Sequence, residues 1–189
     1  MKEIRIHGRG GQGSVVTAEL LAIAAFKDGK YSQAFPYLGG GGERRGAPVQ
    51  AFCRIDEKPI RLKCQITEPN YLIVQDPGLI GLVDIFKGLQ PKGLVLINSK
   101  EPPESIGLKQ TTFRIYSFPA TAIALQVFQK PLMNTAMLGA FAVLCGDINL
   151  EALKKAIEQK FPGETGLKNV EAMEKAVDMA HDKYGVIQK

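Results

Sequence analysis

A glycine-rich run near the start of the chain is the feature with the clearest binding chemistry. Its pattern is G-x-G-x-x-G, formed by Gly8, Arg9, Gly10, Gly11, Gln12 and Gly13. The run follows an alternating segment at 3–7 and precedes an apolar helical pattern at 15–26, which predicts a strand, a loop and a helix. In such a unit, glycines allow a tight turn, a close approach of phosphate to backbone N–H groups, and close helix packing. We therefore expect an anionic ligand at the start of the helix.

A second glycine-rich loop carries two neighbouring arginines. Arg44 and Arg45 follow Glu43 and a run of four glycines at 39–42. A guanidinium group can bind phosphate through paired N–H donors, and Glu43 can orient one of the two. Arg9, inside the first loop, is a third candidate cation. The alternative is a solvated loop whose arginines bind nothing.

The positive charge of the chain is concentrated near these loops. Residues 1–65 contain 11 Lys and Arg against 6 Asp and Glu, which accounts for the whole net charge of +5. This distribution favours an electropositive face beside the glycine loop, although solvated charge without a function is the other interpretation. Nucleic acid is a less favoured partner, because the sequence has no basic helix, no aromatic-flanked RNA-binding signature and no zinc-finger spacing.

The glycine loop lacks the partner residue of a dinucleotide site. NAD-binding folds place an acidic residue about 20 positions further on, at the end of the second strand, where it binds the ribose. Asp28 has this spacing from Gly8 but precedes the second strand, which ends at Pro36 without a carboxylate. The sequence thus contains the phosphate half of such a site without the ribose half. A nicotinamide-dependent dehydrogenase is the weaker interpretation.

Metal and nucleophile chemistry are not predicted for this chain. Cys53, Cys64 and Cys145 are odd in number and lack C-x-x-C spacing, which argues against a disulfide framework, a zinc site or an iron–sulfur cluster. We expect these cysteines to be buried apolar residues, and His7 to have a structural role. The sequence has no G-x-S-x-G elbow, Walker lysine or H-E-x-x-H motif. It predicts a binding module that contributes an anion site to chemistry elsewhere.

Strand and helix patterns alternate along the chain and indicate an α/β protein. Strands are predicted at 3–7, 31–35, 71–75, 93–97 and 113–118. A β-hairpin is predicted from 49–55 and 60–66, around a turn at 56–59. The expected fold is a single domain over residues 1–189, with a Rossmann-like mixed sheet, helices on both faces and this inserted β-hairpin.

The helical patterns complete the layers of this fold. They fall at 15–26, 79–89, 119–128, 135–144, 150–161 and 167–184. The fourth pattern is apolar all round, which predicts burial within the domain or against a partner. Asn149 is expected to cap the fifth helix, and the sixth carries an apolar stripe of Leu167, Val170, Met173, Val177, Ala180 and Tyr184. Without a membrane span or a signal peptide in the sequence, we expect a cytoplasmic protein.

The order of several motifs resembles one known family. These are His7–Gly13, the triplet 34–36 (Ala-Phe-Pro) and the run 43–49 (Glu-Arg-Arg-Gly-Ala-Pro-Val), with further support from 60–66, Asp76-Pro77 and 134–140. Together they resemble the gamma subunit of 2-oxoacid:ferredoxin oxidoreductases, and the pyruvate-specific members, or pyruvate synthases, look nearest. The resemblance extends from about Glu3 to the final helix.

The resemblance implies a defined reaction and defined partners. It implies participation in the reversible, CoA-dependent oxidative decarboxylation of pyruvate to acetyl-CoA and CO2, with electrons passed to ferredoxin. In this family thiamine diphosphate and Mg lie with the alpha and beta subunits, and iron–sulfur clusters are carried by beta and by a ferredoxin-like delta subunit. The gamma subunit is associated with coenzyme A binding and with assembly of the complex.

On this resemblance, coenzyme A is the expected ligand of the chain. Its pyrophosphate is expected at Gly10, Gly11, Gln12 and Gly13, with Arg44 and Arg45 near its phosphates. Another 2-oxoacid, 2-oxoisovalerate or 2-oxoglutarate, stays open because the family's 2-oxoacid pocket belongs mainly to other subunits. An alternative of a different class is a purely structural interaction subunit, whose glycine loop packs against a partner chain.

Overall fold

A mixed β-sheet organises the chain. The computed structural model describes residues 1–37, 45–108 and 112–185. The strands in these ranges are β1 (Lys2–Arg9), β2 (Tyr31–Tyr37), β3 (Pro48–Asp56), β4 (Tyr71–Val74), β5 (Leu94–Asn98) and β6 (Arg114–Phe118). They form one six-stranded sheet in the order β2-β3-β1-β4-β5-β6. Strands β1, β4, β5 and β6 are parallel, whereas β3 lies antiparallel between β1 and β2. The predicted α/β class with a mixed sheet is confirmed.

The central strands are buried on both faces, as their composition predicts. Every residue of β4 and of β5 is buried. Runs that are almost entirely apolar suit parallel strands covered on both sides, because neither face meets water.

The α-helices cover one face of the sheet. They are α1 (Ser14–Lys27), α2 (Ala120–Phe128), α3 (Asn134–Cys145), α4 (Leu150–Lys160) and α5 (Glu164–Tyr184). All five contribute to one apolar core with the sheet residues on this face. None of the helices in the described ranges combines the length and apolar character needed to cross a membrane.

Helix α3 lies at the centre of the helical layer. Residues 135–144 are buried without exception, and the most extensive helix contact of α3 is with α5. A Cβ atom on Gly139 would lie 2.4 Å from the carbonyl oxygen of Met173, so the two helices approach closely at this glycine. The burial that the sequence predicts for α3 therefore lies within the chain itself.

The second face is covered by shorter pieces of chain. Two 3-10 helices, Pro77–Leu79 and Pro103–Ile106, contribute apolar side chains to a smaller core over β4 and β5. The prediction of helices on both faces of the sheet therefore holds only if these two short 3-10 helices are counted. The predicted helix at 79–89 is wrong, because the chain turns at Gly81 and Gly88, where φ is 88° and 75°. Positive φ interrupts a right-handed helix.

The inserted hairpin is present, but its strands differ from the prediction. It is formed by β2 and β3, which pair antiparallel. The pairing of 49–55 with 60–66 is wrong, because both edges of β3 are already occupied by β1 and β2. Segment 60–66 has no regular structure, and Leu62 within it is 47% exposed.

The last two helices follow the sequence closely at their caps. The Asn149 side chain accepts a hydrogen bond from the backbone N–H of Ala152 at 3.0 Å, which confirms the predicted cap of α4. The predicted apolar stripe of α5 is wrong at one position, since Leu167 is 69% exposed. Its neighbour Gly166 is the buried residue of this turn, where a Cβ would lie 2.0 Å from the carbonyl oxygen of Phe161. Successive helical residues point about 100° apart, so Leu167 turns away from α4.

Candidate functional site

The candidate site lies where the parallel strands end. The carboxyl ends of β1, β4, β5 and β6 meet along one side of the sheet, here called the carboxyl edge. The chain leaves β1 over the helical face through α1, and it leaves β4 over the opposite face through Pro77–Leu79. Open α/β sheets bind their ligands in the crevice at such a reversal, which in this chain lies between β1 and β4.

The glycine loop bends sharply from β1 into α1. Gly11 and Gly13 have φ values of 93° and 75°, in the left-handed region that favours glycine. A Cβ on Gly8 would lie 2.3 Å from the Ser14 hydroxyl, so the strand and the start of the helix are in close contact there. The loop therefore has the tight turn and the close packing predicted from its sequence.

Some backbone donors of the loop are already used within the chain. Arg9 N donates to the Gln12 side-chain oxygen at 2.8 Å, Gly10 N to Ala47 O at 2.9 Å, and Gln12 N to Arg9 O at 2.9 Å. Other donors have no acceptor among the described residues. These are the N–H groups of Gly11, Gly13, Ser14, Val15 and Val16.

Arg9 connects the glycine loop to the loop after β4. Its Nε donates to Asp76 Oδ2 at 2.9 Å, and Gln12 Nε2 donates to the same oxygen at 3.0 Å. Its Nη1 also donates to Gly46 O at 3.1 Å. Sequence reasoning used Asp76 only for the family resemblance and missed its contact with the glycine loop, since nothing in its spacing indicates this partner.

Arg45 lies on the other side of the glycine loop. Its backbone forms an isolated bridge with Gly10, and Gly46 N donates to Gly10 O at 3.0 Å. Its Cγ lies 3.9 Å from the place that a Cβ on Gly11 would take. The side chain is exposed and has no ion-pair partner in the part of the chain that the structure describes. Arg44, Glu43 and the glycines at 39–42 lie outside the described residues.

An uncharged polar network underlies the loop. The Gln75 side-chain oxygen accepts from the Ser14 hydroxyl at 2.6 Å, and its amide nitrogen donates to the Thr17 hydroxyl at 2.9 Å. Asn98 Nδ2 donates to the Gln75 carbonyl at 3.0 Å. Amides and hydroxyls carry no titratable proton near neutral pH, so this network positions the loop rather than moving protons. Sequence reasoning missed Gln75 and Asn98, although a polar residue ending an apolar strand was the signal.

Three helix amino termini lie at the carboxyl edge. Asn134, the first residue of α3, donates from Nδ2 to Gln12 O and Gly13 O, both at 2.9 Å. At α2, Thr121 N donates to the Asn98 side-chain oxygen at 3.1 Å. Helices α1, α2 and α3 have no acidic residue in the first turn, whereas α4 and α5 carry Glu151 and Glu164 there. Helix amino termini carry partial positive charge, so this edge favours an anion.

The buried histidine has a structural environment. His7 is buried, and its Nε2 accepts a hydrogen bond from Arg5 Nε at 3.0 Å. Burial and the nearby Arg5 charge lower the pKa of His7 to about 3, so the imidazole is neutral near pH 7. This environment agrees with the structural role predicted for His7.

The cysteines differ in their exposure. Cys53 is buried and Cys145 is half-buried, and burial raises the pKa of both thiols, to about 12 for Cys145. The predicted burial is wrong for Cys64, which is exposed because segment 60–66 has no strand partner. Within residues 1–37, 45–108 and 112–185, no group of three His, Cys, Asp or Glu side chains is placed to hold a metal ion.

The fold defines the class: a Rossmann-like α/β protein whose glycine loop lies at the carboxyl edge of the sheet. Residues 3–179 match the family described as pyruvate ferredoxin/flavodoxin oxidoreductase. The chain belongs to this family, and the resemblance to its gamma subunits that the motifs indicated is confirmed.

Individual relatives match over nearly their whole length. Pyruvate synthase subunit PorC of Methanocaldococcus jannaschii is 50% identical over 185 residues, covering 98% of this chain and all of the relative. The common gamma subunit of the pyruvate/ketoisovalerate oxidoreductases of Thermococcus kodakarensis is 49% identical, covering 93% of this chain and 95% of the relative. The crystal structure of pyruvate oxidoreductase subunit PORC of Thermotoga maritima is 38% identical with a TM-score of 0.81, covering 94% of this chain and 95% of that one.

Proposed function

We propose that this chain is the gamma subunit of a complex that catalyses the reversible, CoA-dependent oxidative decarboxylation of pyruvate, with ferredoxin as the electron acceptor. Within that complex it contributes binding of the coenzyme A phosphates and assembly. Near-full-length identity of 50% to a pyruvate synthase subunit supports the complex. The backbone donors of the glycine loop that lack an acceptor among the described residues support the phosphate site.

The main support for the ligand proposal is the set of backbone N–H groups, with Arg45 beside them, at the end of β1. Coenzyme A carries a pyrophosphate and a 3'-phosphate and needs no carboxylate to read a nicotinamide ribose. The N–H groups of Gly11 and Gly13, with the first turn of α1, lack acceptors among the described residues. Gly10 and Gln12 use their own N–H groups within the chain and so shape the loop. Arg45 lies beside the loop with its guanidinium free of carboxylates in the described ranges.

The bond-breaking chemistry belongs to partner subunits in this proposal. Thiamine diphosphate, Mg and the iron–sulfur clusters are assigned to the alpha, beta and delta subunits. In the described ranges, this chain places amides and hydroxyls, such as Gln75 and Asn98, behind the glycine loop. Its own residues therefore bind and orient coenzyme A, while the thiol end of that cofactor reacts on another chain.

The 2-oxoacid is not selected by this chain. The Thermococcus kodakarensis relative is a common subunit of pyruvate and ketoisovalerate oxidoreductases. A subunit shared by two enzymes does not hold the pocket that distinguishes their substrates. We place pyruvate first because the Methanocaldococcus jannaschii relative is a pyruvate synthase subunit. A 2-oxoisovalerate enzyme is the second candidate.

Calorimetric titration with CoA and dephospho-CoA tests the ligand. Both the isolated chain and the reconstituted complex are titrated, because a partner subunit can complete the site. We expect CoA to bind the complex and dephospho-CoA to bind more weakly, since it lacks one phosphate. Absence of CoA binding in both preparations contradicts the ligand proposal.

The substitution Arg45→Ala tests the cation. Loss of one charge-assisted contact to phosphate should raise the KM for CoA by about tenfold or more and leave the KM for pyruvate nearly unchanged. Arg61→Ala is the matched control, since Arg61 is also exposed but follows β3, which ends at the side of the sheet opposite the carboxyl edge. A change in the pyruvate response alone would contradict the assignment of Arg45.

A purely structural interaction subunit is the second candidate function. The donors that the glycine loop already uses internally favour it, because Gln12 accepts from Arg9 N and Asp76 neutralises Arg9. On this alternative, a partner's side chains or carbonyls cover the remaining N–H groups of the loop. A structure of the complex separates the two, since protein acceptors on Gly11 N and Gly13 N would leave no place for a phosphate.

A further inference from the structure

We propose that Asp76 is a positioning residue of the anion site, and that it engages Arg9 so that Arg45, not Arg9, contacts the phosphate of the ligand. The inference rests on the proposed function and adds the roles of individual residues to it. The ion pair of Arg9 and Asp76, which spans the crevice between β1 and β4, is called the Arg9–Asp76 bridge below.

Asp76 is held by a hydrogen bond within its own loop as well as by the glycine loop. Its Oδ1 accepts from Gly78 N at 2.8 Å, which caps the 3-10 helix Pro77–Leu79. Its Oδ2 accepts from both Arg9 Nε and Gln12 Nε2. Both carboxylate oxygens are therefore used, and the Asp76 side chain is only 20% exposed. A carboxylate with three donors in this geometry holds two side chains of the glycine loop at once.

All three guanidinium nitrogens of Arg9 have acceptors within the chain. Nε donates to Asp76, Nη1 to Gly46 O at 3.1 Å, and Nη2 to Gly78 O at 3.5 Å. Turning Arg9 toward a phosphate would break contacts with three residues in two segments, the loop after β4 and the segment before β3. It would also leave the Asp76 carboxylate beside an anion, and like charges at short range repel. Arg9 is thus a poor phosphate ligand in this arrangement, although it lies inside the glycine loop.

The same bridge sets the position of Arg45. Arg9 holds the carbonyl of Gly46, and two backbone hydrogen bonds join Gly10 to the segment 45–47. The backbone of Arg45 is thereby held in register with Gly10, and its Cγ lies next to Gly11. Gln12 completes the arrangement, because its amide links Asp76 to the N–H of Arg9. Arg9 thus links Asp76 to the segment that carries Arg45, beside Gly11, whose N–H has no acceptor among the described residues.

Removal of the Asp76 charge gives opposite results for the two possible roles of this residue. If the Asp76 carboxylate only repels a bound anion, it weakens binding, and Asp76→Asn would lower the KM for CoA. A positioning carboxylate supports binding through Arg9 and Gln12, so Asp76→Asn raises that KM. The direction of the change therefore decides between them, whatever its size.

The experiment uses the intact complex and compares Asp76→Asn, Arg9→Ala and the double variant. We expect each single variant to raise the KM for CoA about five- to tenfold, which corresponds to the loss of a charged hydrogen-bonded contact. The double variant should be no worse than either single one, because residues that act as a pair are not additive. The kcat and the KM for pyruvate should stay within about twofold.

Asp28→Asn is the matched control. Asp28 pairs with Lys30 at 2.8 Å, and both side chains are 24% exposed, close to the values for Asp76 and Arg9. It follows the carboxyl end of α1, so the length of that helix, about 20 Å, separates it from the glycine loop. The control should leave the KM for CoA unchanged. Arg9→Lys adds a second test, since it keeps the charge but loses the three-nitrogen geometry, and we expect it to resemble Arg9→Ala.

The outcomes separate the two proposals. A lower KM for CoA in Asp76→Asn, or full function of Arg9→Lys, overturns the positioning role. The positioning role is also overturned if kcat and the melting temperature of the complex fall while the KM for pyruvate rises. Such a pattern indicates a general structural defect. If Arg45→Ala weakens CoA binding while Asp76→Asn strengthens it, only this inference fails. If CoA does not bind the unmodified complex, the proposed function fails first.

Discussion

At the glycine loop, contacts between distant residues distinguish the two candidate cations of the described chain. The sequence presents Arg9 and Arg45 as equivalent candidate cations, because each lies in a glycine-rich segment. In the structure Arg9 is paired with Asp76, whereas Arg45 is exposed beside Gly11. Asp76 is 67 positions away from Arg9, so no local pattern indicates the pair.

The buried His7 gives a prediction at the same scale. Its folded-state pKa of about 3 lies below the ordinary value of 6.5, so the unfolded chain binds a proton that the folded chain does not. The stability from the neutral imidazole is complete above about pH 6.5 and is lost as the pH falls toward 3, by up to about 1.4 kcal/mol per pH unit. Urea unfolding at pH 7.5, 5.5 and 4.5 measures it.

His7→Gln is the variant for this comparison, because glutamine keeps an oxygen acceptor for Arg5. We expect the free energy of unfolding of the unmodified chain to fall more steeply with acid than that of the variant. Both chains contain the same carboxylates, so the difference between the curves isolates the histidine. Parallel curves would contradict the neutral, buried state of His7.

Among the elements, the strands and helices with clear periodicity follow the sequence, and those that depend on a partner do not. Strands β4 and β5 and helix α4 form where predicted, since apolar runs and the Asn149 cap are local signals. The predicted strand at 60–66 has a suitable alternation but no free sheet edge to join. The predicted helix at 79–89 is interrupted at Gly81 and Gly88.

The contact between α3 and α5 gives a prediction at the scale of elements. Gly139→Ala should lower the free energy of unfolding by about 1–3 kcal/mol, because the added methyl would meet the Met173 carbonyl at 2.4 Å. Ala122→Val on the exposed side of α2 is the control, with an expected cost of about 0.5 kcal/mol from helix propensity. Chemical denaturation measures both. An equal effect of the two variants would show that α3 and α5 can separate without cost.

For the whole molecule, the comparisons with known proteins indicate a subunit of a larger complex. The described part of the chain places backbone donors, amides and arginines at the carboxyl edge. The family match over residues 3–179 agrees with a subunit role.

The dependence on partners is directly measurable. The isolated chain should show no pyruvate- and CoA-dependent reduction of ferredoxin, and activity should appear only after reconstitution with the alpha, beta and delta subunits. Native mass measurement of the co-purified complex checks that the chain is incorporated. Full activity of the chain alone would contradict the proposed function.

The sequence by itself determined the α/β class, the glycine loop at the end of β1, the all-round burial of α3 and the family resemblance. These rest on local periodicity, on the conformations open to glycine, and on motifs in a fixed order. Only the tertiary structure decided that β2 and β3 form the hairpin, that Asp76 binds Arg9, and that Gln75 and Asn98 support the loop. These contacts join residues far apart in the chain, and they depend on which sheet edges are free and which strand ends meet.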